Sequence, residues 1–476
     1  MRNHTLLTDL YQLTMMNGYF ANNIHEDQVV FDMFFRKNPC DNSFTIVAGI
    51  EQVIDYIENL KFTDEDLEYL RGLQLFSEDF LGLLRNFKFK GTIYSVEEGS
   101  IMFPHEPIIR VKATTFEAQL IETAMLNIVN FQSLIATKAS RVCEAAKGDA
   151  VFEFGLRRAQ GPDAGIFGAR AAYIGGCAGT SNVLAGKMFN IPVTGTQAHS
   201  WIQKFDSELE AFRAYAKIYP DGCLLLVDTY DTIKSGIPNA IKVFKELKEM
   251  GHEPVGIRID SGDLAYLSQE ARKLLTEAGF GNVKIVASSD LDEGTIDSLK
   301  MQQAEINSWG VGTNLITSNG CPALGGVYKL AAVEVNGKLI PKIKISENPE
   351  KITNPGYKKV IRIYNDNNYA EADLIMLEDE IVDTNKPLTL FHPIYTWKKK
   401  TFYNYNVREM LVPLFLEGEL MYNHRTVAEI RDYTQKELSS LWPQYKRLNR
   451  PQLYKVDLSE KLWTLKHEMV NSYREE

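Results

Sequence analysis

Phe154-Gly-Leu-Arg-Arg-Ala-Gln-Gly-Pro-Asp sets Arg157 and Arg158 beside a glycine-rich turn. Two guanidinium groups there suit bidentate binding of an anion, with a structural ion pair as the alternative reading. Gly195-Thr-Gln-Ala-His-Ser-Trp offers a hydroxyl, Thr196, and an imidazole, His199, to one ligand. In Gly256-Ile-Arg-Ile-Asp-Ser-Gly-Asp, Arg258 and Asp260 stand at i and i+2. Extended chain puts such a pair on one face, so a cation and an anion project together. Asp263 is sufficiently explained as the N-cap of a following helix. The turns Gly310-Val-Gly-Thr-Asn and Gly325-Gly-Val-Tyr-Lys free backbone amides to cradle a phosphate, although glycine pairs often only make turns. Thr180, in Gly179-Thr-Ser-Asn, is expected at a helix start, where amides also receive phosphate. No His-x-x-x-His, cysteine-rich metal signature or Gly-x-x-x-x-Gly-Lys-Ser/Thr loop occurs, so a nucleotide must bind without a P-loop.

The elements that hold these groups follow a beat. Apolar runs at 150–154, 191–193, 223–227, 254–259, 283–287 and 306–309 alternate with helical stretches at 180–189, 206–218, 233–250 and 263–278. Alternation of this kind predicts parallel strands joined by helices. Polar residues follow each run: Arg157 and Arg158, then Thr196 and His199, Asp228, Arg258 and Asp260, Ser288, Ser289 and Asp290, and Thr313. Strand C-termini are where a β/α barrel keeps its chemistry, so the residues read as an enzyme for phosphorylated, anionic small molecules.

Around this core the first third reads as mixed α/β, with strands at 29–35, 91–96 and 108–113 and helices at 49–60, after Thr63, and from 115 to about 136. After Tyr328 the register is lost, with strands expected at 330–335 and 359–364, and 425–476 reads as surface helices. The 476 residues allow about three domains at roughly 150 each, or one barrel-sized domain with additions. Apolar residues at 45% and charged residues at 24% are ordinary globular usage and exclude the disordered and disulfide-scaffold classes. A net charge of −10 argues against nucleic acid and anionic membrane as partners. Five scattered cysteines, no signal-like start and no apolar run of about 18 residues predict a cytoplasmic protein without a membrane span.

The ordered motifs Thr8-Asp-Leu-Tyr-Gln, Arg157-Arg-Ala-Gln-Gly-Pro-Asp, Gly195-Thr-Gln-Ala-His-Ser, Asp228-Thr-Tyr, Arg258-Ile-Asp-Ser-Gly-Asp-Leu, Gly312-Thr-Asn and Leu324-Gly-Gly-Val-Tyr-Lys resemble the nicotinate phosphoribosyltransferases over nearly the whole chain. The resemblance implies an irregular β/α barrel with an α+β N-terminal domain completed by C-terminal chain. The expected boundaries are 1–140, 141–335 for the barrel and 336–476. It implies a homodimer with shared active sites that joins nicotinate to 5-phosphoribosyl 1-diphosphate with ATP as co-substrate and Mg²⁺ on the diphosphate. By the same resemblance His199 is the histidine phosphorylated by ATP. Tyr11, Thr196 and Arg258 meet nicotinate, with Tyr11 reaching across the dimer. Arg157, Gly312, Thr313, Gly325 and Gly326 meet the diphosphosugar, and Asp228, Asp260, Ser289 and Asp290 meet ribose or metal. Ser181 stands where the nicotinamide-using relatives carry an Asp. A hydroxyl there spares a carboxylate substrate like-charge repulsion, which favours the acid over the amide. A sugar-phosphate lyase or isomerase on the same barrel would want a lysine or an acid/base pair at a strand end, and a silent ligand sensor would lack the reacting residue; His199 is present in its full motif.

Overall fold

Gln28–Phe35 is an interior strand of a seven-stranded antiparallel sheet whose other strands come from widely separated parts of the chain. On one side it pairs with Gly326–Val335, which continues to Lys338–Pro341. On the other lie Ile109–Thr114, Thr92–Val96, Leu411–Leu416 and Glu419–Leu420. Burial on both faces explains why Val29 to Phe35 reads as an apolar run rather than an alternation. Its one charge, Asp32, is buried against Lys358 at 2.7 Å.

The computed structural model describes residues 3–473, and the chain divides into two compact units. The first takes the residues up to 134, 323–425 and those from 432 onward; the second takes 135–322 and 426–431. The divisions therefore fall earlier than the expected 140/141 and 335/336. The second differs because Gly326–Val335 pairs with Gln28–Phe35 rather than with any barrel strand, a long-range pairing that no local pattern announces.

The first unit has a further sheet, Asn406–Glu409, Lys358–Tyr364, Ala370–Leu377 and Val456–Leu458. Beneath it Arg362 is fully buried, forked onto Asp373 at 2.9 and 2.6 Å and bonded to the Ile101 carbonyl at 2.6 Å. Removing a guanidinium from water is costly, and this set of acceptors offsets it. The tail is thus not only surface helix. Val456–Leu458 is a strand of this sheet, too short to show as a pattern, and Tyr445 and Leu462 are buried.

The second unit carries six parallel strands in the order Gly179–Thr180, Ala150–Glu153, Ser308–Val311, Lys284–Ser289, Gly256–Ile259 and Leu224–Leu226. Helices such as Pro162–Ile174, Glu208–Ile218, Ile237–Glu249 and Leu264–Glu277 connect them. The expected strand at 191–193 is only a single bridge, Val193 to Thr180. The opposite edge, Leu224–Leu226, meets a side chain instead of a strand. Gln197 Nε2 donates to the Leu224 carbonyl at 3.3 Å, and the Leu226 amide donates to Gln197 Oε1 at 3.2 Å. Pro192 to Gln197 thereby spans the two free edges, which makes the barrel irregular. Thr180 lies in a strand and does not start a helix. Asn182 caps Val183–Phe189 by accepting from the Leu184 and Ala185 amides, which leaves the Thr180 hydroxyl to point elsewhere.

Candidate active site at the C-terminal rim of the parallel strands

Arg258 leaves the strand Gly256–Ile259 with its guanidinium almost fully engaged. Nε donates to Ser288 Oγ at 2.7 Å, Nη1 to Thr196 Oγ1 at 2.8 Å and to the Gln197 carbonyl at 3.3 Å, and Nη2 to Asp260 Oδ1 at 2.7 Å. The same-face placement expected for Arg258 and Asp260 is therefore seen directly. Ser288 Oγ also donates to Asp260 Oδ1, closing a triangle of cation, hydroxyl and carboxylate. Burial alone would raise the Asp260 carboxyl, but the hydrogen bonds from Ser288 and Arg258 and the nearby positive charge hold it below the usual carboxylate range.

His199 opens the short helix His199–Gln203 and is held from two sides. Its Nδ1 is 3.2 Å from Thr229 Oγ1, and its Nε2 is 3.8 Å from Asp260 Oδ2. The ring keeps 39% of its surface exposed, enough for a reacting group to reach it. Asp228, at the end of Leu224–Leu226, accepts from the Asp260 amide at 2.8 Å and from Ser261 Oγ at 2.7 Å through Oδ2. Its Oδ1 is buried and has no partner among the described residues. A lone carboxylate oxygen of this kind is an acceptor held ready for a substrate hydroxyl or a cation.

Across the sheet, Ala150–Glu153 runs into the arginine turn. Glu153 is wholly buried, accepts from the Gly155 amide, and receives the Thr180 hydroxyl at 2.6 Å. Burial raises its carboxyl above the ordinary value, and these two hydrogen bonds limit the rise. Its carbonyl accepts from the Ser181 amide at 3.0 Å, so one residue ties the arginine turn to the Ser181 turn. A Cβ on Gly155 would lie 2.8 Å from the Gly312 carbonyl and 2.5 Å from the Ile316 side chain. Only glycine allows the arginine turn to pack this closely on Gly312 and the helix Thr313–Ile316. Arg157 and Arg158 are exposed, and neither guanidinium has a hydrogen bond or ion pair among the described residues, which removes the ion-pair reading. Gly310 has a packing reason of its own, since a Cβ there would sit 2.6 Å from the Phe154 ring.

Ser289 ends its strand at φ +141°, a region that side chains rarely adopt, and the Leu291 amide donates back to its carbonyl at 2.9 Å. This sharp turn leaves Ser289 and Asp290 exposed at the rim while Ser288 points into the Arg258 cluster. Strain of this kind costs roughly 1–3 kcal/mol and gathers at functional sites. Ser289→Gly should relieve it and stabilise the protein by about 1 kcal/mol in denaturant unfolding. A midpoint no higher than that of the parent would show that the turn stores no strain.

The rim thus unites Thr196, His199, Asp228, Arg258 and Asp260, with Arg157, Ser181, Gly312 and Thr313 at neighbouring strand ends. Tyr11, Gly325 and Gly326 belong to the other unit. Tyr11 is a half-exposed residue of the helix Leu10–Ala21, and Gly326 opens a strand where a Cβ would sit 2.0 Å from Asn130 Oδ1. Ser288 is among the polar residues expected at a strand end but has no role assigned from the sequence, and Gln197 and Thr229 lie inside the resembling motifs without one; Glu153 is not singled out, and its signal is a lone acid in an apolar run.

A model of the nicotinate phosphoribosyltransferase family matches residues 150–374, and models of that family's N-terminal and C-terminal domains match 6–130 and 357–466. A nicotinate phosphoribosyltransferase of Bacillus subtilis (strain 168) is 51% identical over 471 residues, which is 99% of this chain and 96% of that protein. One of Caenorhabditis elegans is 39% identical, covering 97% of this chain and 92% of its own length. The crystal structure of human nicotinic acid phosphoribosyltransferase is similar at a TM-score of 0.86 and 30% identity, over 97% of this chain and 99% of that one. Matched from residue 6 to residue 466 and built as a barrel whose rim gathers these side chains, the chain belongs to the nicotinate phosphoribosyltransferase family.

Proposed function

We propose that the protein makes nicotinate mononucleotide and diphosphate from nicotinate and 5-phosphoribosyl 1-diphosphate, and that it couples turnover to ATP hydrolysis. The pyridine nitrogen bonds to the anomeric carbon while the bond to the diphosphate oxygen breaks and its electron pair leaves with diphosphate. The protein's task is to hold an aromatic anion and a diphosphosugar in line and to stabilise the departing charge. The observation that carries the reading is the Arg258 cluster, in which a cation is oriented by Thr196, Ser288 and Asp260 within reach of His199.

In this reading Arg258 and Thr196 take the nicotinate carboxylate and Tyr11 stacks on the ring, supplied across a homodimer. The unpaired Arg157 and the amides of the Gly312–Thr313 and Gly325–Gly326 turns take phosphate oxygens. Asp228 Oδ1 takes a ribose hydroxyl or a Mg²⁺, while Asp290 and Ser289 stand exposed at the same rim. Among the described residues no group of three or more His, Cys, Asp or Glu is placed to hold a metal. Asp228, with its unpartnered Oδ1, would be the carboxylate to hold a Mg²⁺, and the ion would supply positive charge toward the leaving diphosphate. ATP phosphorylates His199. Among the described residues no helix is long and apolar enough to cross a membrane, and all five cysteines are free thiols, which supports a cytoplasmic protein.

Two other readings are disfavoured by particular residues. None of the six parallel strands ends in a lysine, as a Schiff-base lyase would need. Ser181 offers only a hydroxyl where an amide-binding carboxylate would be required for nicotinamide. Competition between labelled nicotinate and nicotinamide, each with and without ATP, tests the assignment. Nicotinate should be strongly preferred and its conversion stimulated by ATP. Comparable specificity constants for acid and amide would overturn the roles of Arg258 and Ser181.

A further inference from the structure

Of the nine residues Pro192 to Ser200, which carry Thr196 and His199, only Gln197 is buried. Packing holds the segment mainly at its start, where the Val193 side chain lies against Gly186. One side of Thr196, Gln197 and Ala198 borders a cavity of ≈ 530 Å³ walled by Trp201, Tyr215 and Tyr219. Its regular strand pairing ends at Thr194, whose amide donates to the Thr180 carbonyl at 3.0 Å. Beyond that point the chain reaches the opposite sheet edge through one side chain. A primary amide has the donor and acceptor of a peptide group, so Gln197 occupies the ladder position of a missing strand residue between the Leu224 carbonyl and the Leu226 amide. The backbone carbonyl of the same residue accepts from Arg258 Nη1 and from the Thr196 hydroxyl, each at 3.3 Å.

We propose that Gln197 is a positioning residue that sets substrate-base recognition: its amide registers the Thr196–His199 loop on the Leu224–Leu226 edge, and its carbonyl and Thr196 thereby aim Arg258. This rests on the reading that Arg258 and Thr196 receive nicotinate. The sheet edge and the recognition cation are then coupled through one residue, with the side chain serving the fold and the main chain serving the site. The diphosphosugar contacts at the Gly155 and Gly312 turns lie on other strands of the same sheet and do not pass through Gln197.

Gln197→Leu keeps the approximate volume but leaves the Leu224 carbonyl and the Leu226 amide without their partner. Gln197→Glu keeps an acceptor for the amide and loses the donor, and it serves if the leucine variant does not fold. Either folded variant should raise KM for nicotinate by on the order of tenfold, while KM for 5-phosphoribosyl 1-diphosphate moves far less, because a small misplacement of one binding group falls on one substrate. A merely structural role would lower the unfolding midpoint and leave that ratio of the two KM values unchanged. An unchanged nicotinate KM, or equal rises in both KM values, in the variant that folds overturns the inference. Failure of the parent protein to convert nicotinate would instead overturn the reading of the site.

Discussion

His199→Ala should abolish the acid-labile, base-stable label that γ-labelled ATP leaves on the protein, and with it the stimulation of turnover by ATP, while a slow ATP-independent condensation remains. The expectation follows from how the ring is held. Thr229 at Nδ1 and Asp260 beyond Nε2 fix the orientation of an imidazole whose side chain stays 39% exposed, so the ring can be reached by a γ-phosphate. In the transfer a nitrogen–phosphorus bond forms, the bond from the γ-phosphorus to its bridging oxygen breaks, and ADP leaves. The phosphoryl group adds about two negative charges and three acceptor oxygens at the ring, enough to reorganise the rim electrostatically. The groups assigned to the base and the sugar do not depend on the ring: Arg258, Thr196 and Asp228 make their hydrogen bonds without it, and Arg157 makes none among the described residues. Base-stable label persisting in the alanine variant would remove His199 from the phosphoryl step. Loss of even the ATP-independent reaction would place it in the condensation itself.

The parts of this arrangement that were legible in the sequence are those governed by short periods. Arg258 and Asp260 declared a shared face through their i, i+2 spacing, and the 2.7 Å bond between them is that face. The β/α beat was legible because five of the parallel strands are apolar runs ended by polar residues. Gly179–Thr180 is too short to form a pattern, and the apolar run at 191–193 overstates what is only a single bridge at Val193. Ser288 and Ser289 mark another limit. A run of polar residues at a strand end does not say which of them turns inward, and here the positive φ of Ser289 decides it by swinging the chain outward. Glu153 was hidden among apolar neighbours although it is the buried tie between two turns.

Long-range pairing was illegible for a different reason. Gly325-Gly-Val-Tyr-Lys falls inside the expected barrel boundary of 141–335, yet the strand it opens pairs with Gln28–Phe35 nearly three hundred residues away. Nothing local distinguishes the two outcomes, because a glycine pair before an apolar strand fits both. Side-chain closure by Gln197 is likewise outside any periodicity argument, since it depends on one amide meeting an edge about 30 residues further along the chain.

Arg258→Lys should lower kcat/KM for nicotinate at least thirtyfold although the charge is kept. Losing a charge-assisted, geometrically matched contact costs about 2 kcal/mol, which is roughly that factor. The structure adds a reason to expect more. In the protein alone four of the five guanidinium hydrogens are already directed at Ser288, Thr196, the Gln197 carbonyl and Asp260, so one Nη2 hydrogen remains for an incoming carboxylate. Bidentate binding then requires Thr196 or the Gln197 carbonyl to yield a second hydrogen, and the substrate exchanges one set of hydrogen bonds for another. A lysine ammonium has three donors in a different geometry and cannot hold Asp260, Ser288 and Thr196 while offering any of them to nicotinate. Asp260 would keep its charge but lose the fork that holds its carboxyl low, and its protonation would move toward the ordinary carboxylate range. The pH dependence of kcat/KM should accordingly show an acid limb displaced upward in Arg258→Lys, since a carboxylate that is held low in the parent is lost only at lower pH. Unchanged nicotinate specificity with an unmoved acid limb would place the carboxylate on another cation, and the exposed, unpaired Arg157 is the one next in line.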